Sequence, residues 1–234
     1  ERLGKFDLLY GVEDITDPTA AGLGIELIDL DAVQLPSQPL RAQRVIVRLE
    51  HATLVLHSVS TRLRTHTRVQ EGQVGYISFG RHTRGTVGGI AVEPGMLVAA
   101  ACGAQACFVV EPGWESIAYL LAPETIRAHL DARQRSDEWR MPRGVEALRA
   151  DPTPVQFLHA WGRRLTDAAV AGPGSFERSG QRCAAAQAEL VELLLAALRT
   201  SADRKPCRKT MTRHERSRIV TIAGLATQVT RRIT

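Results

Sequence analysis

The chain has 234 residues, 44% of them hydrophobic and 24% charged, with a formal net charge of +5. This is the composition of a folded globular chain, long enough for one good core plus a smaller lobe or for one larger all-β or mixed domain. No uninterrupted apolar run approaches the roughly 20 residues that span a bilayer, and the opening ERLGKFDLLYGVED lacks a signal-peptide core, so the chain is read as cytoplasmic with no membrane partner.

Residues 1–41 form an N-terminal segment without a strong periodic pattern. From 42 to 121 the chain consists of short apolar runs: RVIVRL, TLVLHSVS, RLRTHTRV, VGYISFG, GIAV, MLVAAA, ACFVV and SIAYLL. Glycines and two EPG triplets, at Glu93 and Glu111, punctuate them as strand-to-strand turns. Roughly eight strands at this spacing predict a sandwich or small barrel and exclude alternating βαβ units.

The pattern changes at Ala122. APETIRAHLDAR places a proline at a helix start, and TPVQFLHAWGRRLTDAAV lines up Val155, Leu158, Trp161 and Leu165 on one stripe. After a GPGS break, QRCAAAQAELVELLLAALRT is the strongest helix in the chain. Residues 122–200 are therefore a helical region closing in a hairpin. Its leucine-rich face is wider than a lone hairpin needs, so Leu190, Leu194, Leu198 and Trp161 are expected to form a homodimer contact. Residues 201–234 are a basic linker whose arginines lie on a solvated face or meet phosphates.

Chemistry-bearing residues are sparse. The four cysteines show no CxxC pair and read as reduced thiols, Cys102 and Cys107 being packed in the β core. Metal-binding cupins use an HxH pair, a nearby Glu and a later His. Here Thr65 and Thr67 flank His66, no His follows the PxG-like turn, and His57 with His66 cannot fill a three-ligand site. There is no GxSxG elbow, Walker loop or glycine fingerprint. No enzyme activity, metal or cofactor is expected. The most loaded strand is RLRTHTR, where Arg62, Arg64, His66 and Arg68 alternate with Leu63, Thr65 and Thr67. Facing solvent, they protect a charged edge; facing a barrel mouth, they bind an anionic small effector.

Taken together, residues 14–126 resemble the N-terminal sensing domain of AraC/XylS-type transcriptional regulators. The resemblance rests on segment order: ITDPTAAGLGIELIDLDAVQLPSQPLRAQRVIVRL, then ATLVLHSVSTRLR, GYISFG and GGIAVEPGMLVAAACGAQACFVVEPGWESIAYLLAPETI. It implies a mainly β fold with C-terminal helices (α+β), a cupin-like small β-barrel or jelly roll over 42–121 followed by a helical hairpin. It also implies a small-molecule effector, a homodimer formed through the helices, and DNA reading by a helix-turn-helix domain of the full-length relative. RHERSRIV (213–220) resembles the basic entry to that domain, and the chain is expected to be cut down at this boundary. Two rival readings are a stand-alone cupin-like enzyme and a cyclic-dinucleotide receptor. The latter uses Arg64 and Arg68 as the RxxxR pair of PilZ-type domains, whose companion motif YISFGR does not meet.

Overall fold

The computed structural model describes residues 10–17, 28–34, 39–172, 180–201 and 203–207. Strands are numbered in chain order and fall into two antiparallel sheets. The larger has eight strands, in spatial order β1 (Tyr10–Ile15), β3 (Ala42–Arg48), β4 (Ala52–Val59), β11 (Trp114–Leu121), β6 (Val74–Phe79), β9 (Met96–Ala100), β12 (Val145–Arg149) and β13 (Asp203–Pro206). The smaller has five: β2 (Ile28–Gln34), β5 (Leu63–Val69), β10 (Gln105–Val110), β7 (Gly85–Val87) and β8 (Ile90–Ala91). Among the described residues three α-helices follow the main run of strands: α1 (Pro123–Asp131), α2 (Pro152–Ala171) and α3 (Gly180–Arg199).

The layers are small sheet, large sheet, helices. Both faces of the large sheet are covered, so its strands read as continuous apolar runs such as VIV and LVL. Toward the helices it turns Val45, Val47, Leu54, Leu56, Val74, Tyr76, Leu97, Ile117, Tyr119 and Leu121. Toward the small sheet it turns Phe79, Met96, Val98, Trp114 and Ala147, which meet Leu63, Val87, Phe108 and Val110. Helix α2 starts cleanly because Pro152 needs no amide partner and the Asp151 carboxylate accepts from Thr153 N at 2.9 Å. Arg135 bonds both Glu138 and Glu192, tying the turn after α1 to α3. Among the described residues no helix is long and apolar enough to cross a membrane.

Strand prediction from the sequence agrees well over 42–121, and the differences lie in long-range pairing. No closed barrel is seen: β1 and β13 edge one sheet and β2 and β8 the other, with no ladder joining the sheets among the described residues. The fold is therefore a two-sheet sandwich backed by helices. Residues 1–41 supply β1 and β2, which pair with β3 and β5. The expected helical region contains β12, which pairs with β9 and with β13. The large sheet thus runs across the expected boundaries at 41/42, 121/122 and 200/201. Cys102 sits in the turn after β9 with its thiol on Glu71 at 3.0 Å, not in the β core, whereas Cys107 is buried in β10. The basic stretch 213–220 lies outside the described residues.

The residues expected at a dimer contact lie inside the chain. Leu190, Leu194, Leu198 and Trp161 are all buried in the chain's own core, together with Val155, Leu158, Val191 and Leu195. The leucine face is wide because α2 and α3 must cover each other and the large sheet at once. Leu194→Glu is therefore expected to unfold the chain instead of releasing a folded monomer. Leu194 is 0% exposed, and Leu194→Ala should cost about 2–5 kcal/mol in urea denaturation.

Candidate functional site

A cavity of about 80 Å³ lies between the two sheets. The large sheet contributes His57 and Val59 from β4, Ile77 from β6, and Trp114, Ser116 and Ala118 from β11. The small sheet contributes Leu63, Thr65 and Thr67 from β5, with Phe108 and Val110 from β10. Ile15, Ala42, Val59 and Trp114 are shared with an open groove of about 660 Å³, which also touches Arg41, Gln43 and Glu115. The two spaces therefore adjoin along these four residues. Trp114 anchors the wall by edge-to-face contacts with Phe79 and Phe108, at centroid distances of 5.3 and 6.2 Å. Gly85 makes that packing possible: it has φ +147°, and a Cβ there would lie 2.2 Å from Val109 O and 2.8 Å from Trp114 Cζ3.

A row of polar residues crosses the inner face of the large sheet. Glu13 pairs in register with Arg44, Arg44 with His57, and His57 with Ser116. Directly opposed residues of antiparallel strands share a face, so all four point toward the small sheet. Arg44 is fully buried and ion-paired with Glu13. The Ser116 hydroxyl accepts from Trp114 Nε1 at 2.9 Å. His57 Nε2, by contrast, is buried with no hydrogen-bond partner, an arrangement that costs about 1–3 kcal/mol when left unsatisfied. Burial first, and the Arg44 guanidinium second, lower the His57 pKa from 6.5 to about 4. The imidazole is therefore neutral at physiological pH.

The RLRTHTR strand alternates as read, with the faces opposite to a ligand-lined mouth. Leu63, Thr65 and Thr67 line the cavity. Arg64, His66 and Arg68 occupy the outer face of β5, and Arg62 just precedes it. Arg62 pairs with Glu111 at 2.9 Å, Arg68 approaches Glu71 at 3.9 Å, and Arg64 Nε donates to Cys107 Sγ at 3.4 Å. The physical reason is solvation: burying four basic groups costs far more than burying a leucine and two hydroxyls. Nor is β5 an edge, since it lies between β2 and β10. The residues the sequence did not nominate are His57, Ser116, Thr65 and Thr67. A single histidine inside the apolar run TLVLHSVS was the available signal.

On the opposite face of the large sheet a second polar cluster fastens α2. His159 Nε2 meets Glu115 Oε1 at 3.0 Å and its Nδ1 meets Ser78 Oγ at 3.0 Å. Ser78 Oγ lies 3.1 Å from the Tyr119 hydroxyl, which donates to Leu158 O at 3.0 Å. Arg163 adds a 2.6 Å bond to Glu115 Oε2. The hydroxyls and the imidazole thus form one continuous hydrogen-bonded chain from Glu115 to Leu158 O. The His159 bond, with help from Arg163, holds the Glu115 carboxyl below its usual range against the effect of burial, while burial raises the Tyr119 hydroxyl. Gly162 permits the contact: a Cβ there would lie 2.8 Å from the Tyr119 hydroxyl oxygen. The Ser–His–Glu order looks like a hydrolase triad, but Ser78 is wholly buried under α2 and no substrate can reach it. Among the described residues no group of three or more His, Cys, Asp or Glu could hold a metal ion.

No family model matches the chain. No curated protein matches it either. Among solved structures it is similar to the AraC-like transcriptional activator CuxR, with a TM-score of 0.50 and 13% identity over 86% of this chain and 71% of that one. At that identity the likeness is one of fold: a β-rich N-terminal region with helices behind it.

The neutral His57 makes stability pH-dependent. Its folded pKa lies below its unfolded value, so the unfolded chain binds the extra proton between about pH 4 and 6.5. Stability should be fully present above pH 6.5 and fall by about 3 kcal/mol as pH drops through that window. Urea denaturation at stepped pH should show that slope in the wild-type chain and a flattened one in His57→Leu.

Proposed function

We propose that this chain is the effector-sensing part of an AraC-type transcriptional regulator. The observation that carries the proposal is the placement of β11 between two polar systems. Its inner residues, Trp114, Ser116 and Ala118, wall the cavity. Its outer residues, Glu115 and Tyr119, hold α2 through His159, Arg163 and Leu158 O. Strand β6 repeats the arrangement with Ile77 inside and Ser78 outside. An occupant that shifts either strand changes the seat of α2, which is the kind of two-state contact that can bias an attached domain. The fold likeness to an AraC-like activator agrees with this reading.

In this reading DNA is recognised by a separate helix-turn-helix domain of the full-length protein, and the sensing part works as a homodimer. Since the expected leucines are committed to the core, the dimer would use the outer surface of α2, where Phe157 is 63% exposed. An RxxxR contact by Arg64 and Arg68 with a cyclic dinucleotide would be a surface contact on the small sheet, away from the cavity.

Coupling is tested by hydrogen exchange with a ligand that occupies the cavity. Wild-type chain should change protection along α2 (152–171) on saturation. His159→Leu should still bind the ligand yet lose most of the α2 response. Binding with no α2 response in the wild type overturns the coupling. A second measurement concerns assembly: if the chain sediments as a dimer, Phe157→Glu should give a folded monomer.

A further inference from the structure

The cavity selects its occupant by charge and shape, an inference that rests on the reading of the cavity as the effector site. Among the described lining residues the only titratable side chain is His57. The polar groups are that imidazole and the hydroxyls of Thr65, Thr67 and Ser116; the remaining wall is aliphatic or aromatic. Ser116 already accepts the Trp114 N–H, so its own hydroxyl hydrogen is left to donate. Arg44, the nearest cation along the row, is ion-paired with Glu13 and does not line the cavity.

An anionic group held inside the cavity would leave water for a mostly apolar wall, since Arg41 lines only the groove outside it. The one group that could become cationic is His57. With a pKa of about 4, roughly one imidazole in a thousand is protonated at pH 7. A neutral hydroxyl or carbonyl carries no such penalty, and the imidazole of His57 with the hydroxyls of Thr65, Thr67 and Ser116 offers it hydrogen-bonding partners along the wall.

Size narrows the class. An apolar cavity of about 150 Å³ takes benzene, and the enclosed space here is about 80 Å³. Half a ring is therefore enclosed, and the remainder lies at the mouth between Ile15, Ala42, Val59 and Trp114, where the groove begins. A rigid ring against Trp114 and Phe108 loses no internal rotors on binding, unlike a flexible chain. We propose that the cavity takes a small uncharged single-ring compound bearing a hydroxyl group, of which phenol is the simplest, with that hydroxyl turned to His57 and the β5 threonines.

The test is calorimetric titration of the full chain at pH 7 with phenol, toluene and benzoate. Toluene keeps the ring without the hydroxyl, and benzoate keeps the ring with a negative charge. One satisfied buried hydrogen bond predicts phenol binding about tenfold tighter than either. His57→Leu should bring phenol to the toluene level. Thr65→Val, a smaller change at the facing wall, should weaken phenol in the same direction with toluene unmoved. Benzoate binding as tightly as phenol, or phenol binding indifferent to both substitutions, overturns the proposal. Ala118→Leu fills the cavity and separates the two levels. If benzoate wins and Ala118→Leu abolishes its binding, the cavity remains the effector site and the neutral-ligand class is wrong. If no probe binds, or binding ignores Ala118→Leu, both readings fall.

Discussion

The eight-stranded sheet is buried on both sides, and most features of this protein follow from that constraint. One face must fit α2 and α3 while the other must fit the small sheet. Side chains alternate strictly along a strand, so β3, β4, β6, β9 and β11 each contribute to two cores. Polar groups are tolerated on either face only where they are bonded. Ser78, Tyr119 and His159 meet that condition on the helix side, and Arg44 meets it through Glu13 on the other. His57 Nε2 does not. His57 lies beside the cavity, where a ligand can supply a partner.

The same alternation links the cavity to the helices. Glu115 and Ser116 are neighbours in sequence but face opposite sides, one toward α2 and the other toward the cavity. A covalent step of one residue therefore separates the two systems, and no long chain of contacts is needed to join them. The helix approaches closely because Gly162 leaves room for Tyr119. The closeness of α2 and the charge pairing at Glu115 give the helix a defined seat.

How much of this is legible in the sequence depends on the range of the interaction. Strand positions between 42 and 121 follow from apolar runs and turn residues, which are local signals, and they agree with the structure to within a residue or two at most ends. Strands β1, β2, β7, β12 and β13 escaped, because β7 has only three residues and the others pair with distant partners. VEALR in particular reads equally well as a helical turn until β9 lies beside it. The cavity residues were hidden for a related reason. His57 looks like any histidine in a strand, and its character comes from Arg44 on one neighbour and Ser116 on another.

The sequence by itself determined the β-then-α order, the main strand positions, the helix start at Pro123, and the separation of Arg64, His66 and Arg68 from Thr65 and Thr67 on β5. Those properties rest on dihedral preferences and on a side-chain period that neighbouring residues impose on one another. Only the tertiary structure decided which face of β5 is inside, that the α3 leucines cover the chain's own sheet, that the two sheets stay open, and that His57 stands unbonded beside a cavity. Periodicity establishes that two sets of residues lie on opposite faces, but the identity of the surface each set meets is settled by contacts between segments far apart in the chain.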